Sequence, residues 1–314
     1  MKTTVIHHSA DHDGIFCREI ARKFLPDAEL IGWDFGDPLI PMPAEGNLYI
    51  LDLSPDCLAE TSTDNIDRII WIDHHKSSIE KWAKTMVGYR IDGVAACRLA
   101  WQWFDYHAKG LDGHRNQLDP NLPTKQEFVD RTVIEPWAVR LAGEYDIWDK
   151  RDPDAELFQH GLRSQELGEN MWDILLSGPT QFKDGQGGLA EVTVNTLLDA
   201  GRALQYTKAQ ENASIIKDLG FTFQWEGLTW LACNHARYNS HLFTAALRRE
   251  HDACFGFKFT GHVAGGKPSE EWAISLYHAP GKEHHDLSQI AVKYGGGGHR
   301  GACGFRASKL PFLP

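Results

Sequence analysis

Residues 68–75 read Arg68-Ile69-Ile70-Trp71-Ile72-Asp73-His74-His75. Between Arg68 and Asp73 the run is wholly apolar, with none of the polar alternation of a strand that has one wet face. It is short and β-branched, so it reads as a strand covered on both sides, the signature of a parallel sheet. Residues 47–53, Asn-Leu-Tyr-Ile-Leu-Asp-Leu, have the same character, and Thr3–Ile6 is a third such run, ending at His7-His8. Met86–Ile91 reads as a further strand. Helical patterns separate the strands: Gly14–Phe24 sets Ile15, Ile20, Ala21 and Phe24 on one face, and Ala95–His107 looks like a buried helix. Strands alternating with helices predict an α/β domain, an open and mostly parallel sheet flanked by helices.

The chain has 314 residues, long enough for two domains with proper cores. Lys109–Lys125 is polar and turn-rich and reads as a surface loop, followed by helical sequence over Glu127–Tyr145. Gly178–Gly188 is turn-rich again, and Glu191–Leu219 reads as a long helix stopped by Gly220. Beyond it, Phe221–Trp225, Thr229–Asn234, Ala253–Thr260, Trp272–Tyr277 and Ala302–Phe305 look like strands. Ser240 is placed to cap a helix reaching Glu250, and Asp286 one through Ala291. The expected division is a catalytic domain over 1–190, a helical connector over 191–219 and a smaller α+β domain over 220–314, with the active site in the cleft between domains.

Composition removes several classes. Hydrophobic residues at 42% and charged residues at 24% exclude a disordered chain. No apolar stretch approaches the ~18 residues of a membrane span, and the first residues leave no room for a signal peptide. The six cysteines never form C-x-x-C, which argues for free thiols and a cytoplasmic setting. Most of the eleven tryptophans, Trp71, Trp101, Trp103, Trp137, Trp172 and Trp272 among them, fall on apolar patterns and read as core. The formal net charge of −11 opposes the basic footprint of a protein that coats long nucleic acid. It does not oppose nucleotide chemistry at a metal site, where bound cations reverse the local sign.

Three of the strands end in residues of the metal-ligand type. The first runs into His7-His8-Ser9-Ala10-Asp11-His12-Asp13-Gly14, the second into Asp52, and the third into Asp73-His74-His75. Open α/β sheets bind ligands outside the carboxyl ends of their strands. Imidazoles and carboxylates without thiolate favour Mn2+, with Mg2+ the alternative, over structural zinc. Six or more candidates suggest two divalent ions with one bridging Asp, an arrangement suited to phosphoester hydrolysis. A Rossmann-type dehydrogenase would need G-x-G-x-x-G where HHSADHDG stands.

HHSADHDG, ILDLS and WIDHHKS, in this order, resemble the first three motifs of the DHH phosphoesterase family. The C-terminal YGGGGHRGACGF resembles the glycine-rich motif of that family's DHH-associated domain. The motifs bracket positions 7 to 305. The resemblance implies metal ligands at Asp11, Asp13, Asp52 and His74, joined by His8 or its neighbour His7. It implies a further Asp downstream, for which Asp146 is the candidate and Asp149 and Glu144 are rivals. One ion would take His8, Asp11 and Asp52, the other Asp13, Asp52, His74 and Asp146. Asp73 would orient His74, and His75 would face the substrate phosphate.

By the same resemblance, His299 would bind the scissile phosphate, beside Arg300 and the backbone of Gly297 and Gly298. Arg237, after a strand, would meet a phosphate, and Tyr238 a base. Lys293, Arg300, Arg306 and Lys309 make this last stretch locally basic. The implied activity is hydrolysis of phosphodiester or terminal phosphomonoester bonds in short oligonucleotides or small nucleotides. Cyclic dinucleotide hydrolysis and single-strand exonuclease action are the alternatives within the family. No membrane or long duplex partner is expected, and the oligomeric state is left open, a homodimer included. A catalytically silent nucleotide-binding scaffold is the contrasting class, and the full set of Asp and His at the family's ligand positions argues against it.

Overall fold

The computed structural model describes residues 2–60, 66–82, 86–108, 121–177, 188–236, 239–260, 262–264, 267–269 and 271–312. The chain divides into two compact units, Met1–Leu204 and Gln205–Pro314. The first opens with β1 (Thr3–His8), α1 (His12–Phe24), β2 (Glu29–Trp33), β3 (Asn47–Leu51) and β4 (Ile69–Asp73). Then come α2 (Lys76–Trp82), β5 (Val87–Arg90), α3 (Ala96–Ala108), α4 (Lys125–Val129), α5 (Trp137–Asp146), α6 (Asp154–Arg163) and α7 (Glu169–Leu175). A long helix, α8 (Gly188–Leu219), runs across the division between the units.

The five strands form one parallel sheet in the order β2-β1-β3-β4-β5. From β1 the chain steps to β2 on one side and then to β3 on the other, so the carboxyl ends of β1 and β3 flank a topological switch point. Successive side chains along the strands point to opposite faces. Val5, Leu51, Ile70 and Ile72 enter one core with Phe16, Cys17 and Ile20 of α1 and Leu99 and Trp103 of α3. Ile6, Ile50, Ile69 and Trp71 enter a second core, against which Ile79 and Trp82 of α2 pack. Both faces are thus dry, as the unbroken apolar runs require.

The structure departs from the sequence expectation in definite places. β2 was not foreseen: it is an edge strand on which only Trp33 is buried, so its sequence lacks a strong pattern. The helical stretch Glu127–Tyr145 is two helices. Pro136 disfavours helical backbone at the residue before it and stands as the N-cap of α5. Helices α6 and α7 fill a region for which the sequence reading offered no element. Residues 109–120 of the Lys109–Lys125 loop and all of the Gly178–Gly188 segment but Gly188 lie outside the described residues.

The second unit continues from α8 with β6 (Gly220–Trp225), β7 (Leu228–Asn234) and β8 (Ala253–Phe259). A short hairpin of β9 (His262–Ala264) and β10 (Lys267–Ser269) follows, then β11 (Trp272–His278), α9 (Leu287–Lys293), β12 (Gly297–His299) and β13 (Ala302–Ala307). Its six-stranded sheet has the order β12-β13-β11-β8-β7-β6, antiparallel except where β7 meets β8. One face packs Trp230, Phe255, Ile274 and Phe305 with Leu287 and Ala291 of α9, and the other packs Leu231 and Cys254 with Ile216, Leu242 and Phe243. Asp286 caps α9 through the Ser288 N–H at 3.2 Å.

The helix expected from Ser240 to Glu250 does not form. Two short 3-10 turns stand there instead, Ser240–Leu242, capped by Asn239, and Thr244–Ala246. The buried His251 imidazole accepts the Arg248 N–H at 3.0 Å, a donor that a continuing α-helix would have turned back to the Thr244 carbonyl. All six cysteines are buried and unpaired. Trp71, Trp103 and Trp172 are buried, and Trp101, Trp137 and Trp272 pack against the cores. No helix among the described residues is long and apolar enough to cross a membrane.

Helix α1 starts hard against the end of β1. A Cβ on Gly14 would lie 2.1 Å from the His8 carbonyl oxygen, with backbone that cannot swing aside. Gly14→Ala is therefore expected to destabilise the protein by about 1–3 kcal/mol, seen as a lower urea midpoint at unchanged slope. An unaltered midpoint would contradict this contact.

Candidate metal centre

The ends of β1, β3 and β4, the start of α1 and the end of α5 bring six side chains together. His8 Nδ1 lies 2.9 Å from Asp11 Oδ2 and 3.3 Å from Asp52 Oδ2. His74 Nε2 lies 3.5 Å from Asp13 Oδ2, 3.4 Å from Asp52 Oδ1 and 3.4 Å from Asp146 Oδ2. Asp52 stands between the two imidazoles, one oxygen toward each. In His8–Asp11–Asp52 and in Asp13–His74–Asp146, one ligand atom per residue lies within 4.8 Å of the others.

Local structure fixes each carboxylate. Asp52 adopts left-handed backbone, φ +58°, rare for a residue with a Cβ and costing of order 1 kcal/mol. Its N–H donates to the Ile72 carbonyl at 2.9 Å, which ties the strained residue to β4. Asp11 caps α1, with Oδ1 accepting the Gly14 N–H at 3.0 Å, which leaves Oδ2 for His8. Asp13 is buried and accepts the Ala96 and Cys97 N–H groups at 2.8 and 2.7 Å. These are unpaired donors of the first turn of α3, so a helix N-terminus holds this buried anion.

Asp146 ends α5. Two residues before it, the fully buried Glu144 accepts both Arg131 nitrogens at 2.8 Å and the Arg140 guanidinium at 3.1 Å. That network anchors the end of α5 and accounts for Glu144. Asp149 is held by Arg151 at 2.9 Å. Both rivals of Asp146 are thus engaged elsewhere. His7 is buried, its Nδ1 donating to the His8 carbonyl at 2.8 Å, so His8 is the imidazole that faces the carboxylates.

Asp73 requires a correction. The sequence reading has it orient the His74 ring; instead its Oδ1 meets His75 Nδ1 at 2.7 Å. It also accepts the His74 and His75 N–H groups at 2.7 and 3.2 Å. The strand ends at Asp73 and the chain turns, so the second following ring comes within reach. The Asp73 contact raises the His75 pKa above the ordinary imidazole value. His75 is half-exposed, with Nε2 left for an outside partner.

The electrostatics of the cluster call for cations. Among the described residues no Lys or Arg pairs with Asp11, Asp13, Asp52 or Asp146. Burial and then the Asp52 charge push Asp13 up to about 7. Burial and then the Asp13 charge push Asp146 up to about 7. Hydrogen bonds to Asp11 and Asp52 raise His8 to about 10. Burial works against a charged His74, but the carboxylates of Asp52, Asp13 and Asp146 outweigh it and hold the ring at about 10. Asp52 Oδ1 and Asp73 Oδ2 are buried without a hydrogen bond. An anionic nest with an orphaned oxygen at its middle fits divalent cations, whose binding would displace the protons that now relieve the repulsion.

Two contributors escaped sequence reading. Asp34 Oδ1 lies 3.4 Å from His8 Nε2, and Asp34 follows β2, the strand that went unseen. The α3 N–H pair on Asp13 is backbone, and its only trace is the small residues Ala95 and Ala96 after Gly93.

In the second unit, Gly297, Gly298 and His299 form β12, an exposed edge strand paired with β13. Part of the glycine run serves that pairing. A Cβ on Gly296 would lie 2.1 Å from the Gly304 carbonyl oxygen, and one on Gly298 2.7 Å from Cys303 Cα. Arg300 donates to the His284 carbonyl at 2.9 Å. Lys293 and Arg306 are engaged by Glu226 and Glu271, each at 2.7 Å, so two of the four cations of the expected basic stretch are paired with carboxylates. Arg237 and Tyr238 lie outside the described residues.

The raised imidazoles give a pH dependence with a definite sign. His8 and His74 stay protonated in the fold up to about 10, whereas unfolded imidazoles titrate at 6.5. From pH ~7 to ~9 the metal-free fold therefore binds more protons than the unfolded chain and loses stability as pH rises. Thermal melts in chelator should show a falling midpoint over this range. Added Mn2+ should raise it, more at the higher pH. A flat profile with no metal effect would contradict the cluster's assignment.

No protein-family model matches the chain, and no curated protein matches it. Among solved structures it is similar to the DHH domain of a member of the s1p family of ribosomal proteins, at 12% identity over 96% of this chain and 82% of that one, TM-score 0.49. It is also similar to the pGpG-specific phosphodiesterase PggH from Vibrio cholerae, at 12% identity over 98% and 93%, TM-score 0.44. An exopolyphosphatase-related protein from Bacteroides fragilis is similar at 11% identity over 100% and 88%, TM-score 0.41. Identities this low set up no residue correspondence, so each site assignment rests on the geometry of this chain.

Proposed function

We propose that this chain is a two-metal phosphoesterase of the DHH kind, hydrolysing phosphodiester or terminal phosphomonoester bonds of short oligonucleotides or small nucleotides. The observation that carries this reading is the meeting of two His–Asp groups around Asp52, with no basic side chain among the described residues to neutralise them. His8, Asp11 and Asp52 would hold one divalent ion, and Asp13, Asp52, His74 and Asp146 the other. The donors are imidazole and carboxylate without thiolate, which supports Mn2+, with Mg2+ as the alternative. When bound, such ions supply a water of lowered pKa and positive charge at the phosphoryl oxygens.

The protein's own groups have separable tasks. Asp13 is clamped by the α3 N–H pair and Asp52 by its strained turn, so ligand positions are set before any ion arrives. Asp73 fixes the His75 ring and favours its protonated form, leaving Nε2–H to donate to a phosphoryl oxygen or to the leaving oxygen. In the second unit, the exposed edge of β12 with His299 is proposed to receive a substrate phosphate. An unpaired strand edge and residues without Cβ support that role. The acidic total supports short substrates over long polymers. The buried, unpaired cysteines support a reducing compartment such as the cytoplasm.

The test is release of mononucleotide from a linear dinucleotide by the Mn2+-loaded protein. Asp52→Ala and His74→Ala should each lower kcat/KM by more than about 100-fold, the upper range even for outer residues of metal sites. Metal analysis should find two ions per wild-type chain. Full activity in both variants would sink the assignment.

A further inference from the structure

Strand β2 ends at Trp33, and the turn Asp34-Phe35-Gly36-Asp37 follows. The turn is closed by its own hydrogen bonds: the Asp37 N–H donates to the Asp34 carbonyl at 3.0 Å, and the Asp34 N–H to Asp37 Oδ2 at 2.9 Å. The Phe35 N–H donates to Asp34 Oδ1 at 2.7 Å, and that same oxygen lies 3.4 Å from His8 Nε2. Gly36, at φ +107°, permits the reversal. The turn is thus built, and it is tied to an imidazole of the metal centre.

At its tip Phe35 is 73% exposed, while Trp33 beside it is 8% exposed. The Phe35 ring centroid is 6.0 Å from that of His8 and 5.5 Å from that of Trp33, at interplanar angles of 72° and 66°. Neither neighbour lies parallel to it. The fold gains no core from this ring, yet it is held in water beside the group formed by His8, Asp11 and Asp52. Trp148, 64% exposed and two residues past Asp146, offers a contrast. Its ring stacks on Tyr145 at 6.3 Å and carries the Lys150 ammonium at 4.2 Å, so its surface is already used.

We propose that Phe35 is a stacking residue for a nucleobase whose phosphate lies at the His8 side of the centre. This rests on the phosphoesterase reading above and narrows its substrate to base-bearing nucleotides, against inorganic polyphosphate and base-free phosphoesters. A phenyl ring reads no hydrogen-bond pattern, and every base has a π face, so Phe35 tolerates any base.

The full-length, Mn2+-loaded chain is titrated calorimetrically with AMP and with ribose 5-phosphate, which share sugar and phosphate and differ in the base. Wild type should bind AMP the more tightly. Phe35→Ala should weaken AMP about 10-fold, within the range measured for base–aromatic stacking, and leave ribose 5-phosphate unchanged. Phe35→Trp should keep or improve AMP affinity. Equal affinity of wild type for both ligands, equal losses on both in Phe35→Ala, no loss on AMP, or binding of neither ligand would overturn the proposal. Binding is read without turnover. A chain that cleaves no phosphoester yet shows the AMP-selective loss would refute the hydrolytic reading and leave the stacking intact. A chain that hydrolyses dinucleotide with Phe35→Ala unimpaired would do the reverse.

Discussion

Four carboxylates, those of Asp11, Asp13, Asp52 and Asp146, are gathered around two imidazoles at one rim of the parallel sheet, and Asp13 and Asp52 are buried. Like charges brought this close out of water repel strongly. The surrounding structure manages the repulsion without placing a guanidinium or ammonium of the described residues among them. The N-terminal turn of α3 directs two N–H groups at Asp13. The start of α1 directs one at Asp11. Protons shared with His8 and His74 supply the rest until a cation replaces them. Elsewhere the chain uses arginine freely: the buried Glu135 is paired with Arg98, and the buried Glu144 with Arg131 and Arg140. Leaving basic side chains out of the Asp52 cluster therefore marks it as a place for something other than protein charge.

The sheet makes such an arrangement affordable in strain. Strands β1, β3 and β4 are dry on both faces, so their ends are among the least mobile points of the unit. Ligands placed one or two residues past those ends inherit that rigidity. Asp52 can then sit in left-handed backbone because its N–H is pinned to Ile72 on the next strand. The same scaffold explains why Gly14 must lack a side chain: the cap at Asp11 and the candidate ligand Asp13 belong to one turn that touches the His8 carbonyl.

How much was legible in the sequence follows from where the information sits. Strands buried on both faces announce themselves by composition, so β1, β3 and β4, with the ligands just beyond them, could be read directly. β2 is an edge strand with a single buried residue, and with it went Asp34 and the Phe35 turn. The α3 N–H pair on Asp13 is backbone and has no letter of its own. Whether Asp73 reaches the ring one or two residues onward depends on the turn after β4, which side-chain identity does not encode. The glycine run was legible as a place of close approach, but part of it serves the β12–β13 pairing rather than a ligand.

The acidic total acquires a mechanistic sense from this. In the second unit Lys293 and Arg306 are already neutralised by Glu226 and Glu271. In the first unit the metal-free cluster is itself anionic and would repel a phosphate. On the proposed reading, divalent cations would reverse that sign beside His75, whose Nδ1 is held by Asp73. Metal and substrate would then bind with positive coupling, each raising the other's affinity by the same factor. Affinity for phosphate would thus be borrowed from the ions and confined to their surroundings. That suits a short substrate gripped at one phosphodiester, and it is the opposite of a long basic groove that holds a polymer along its length.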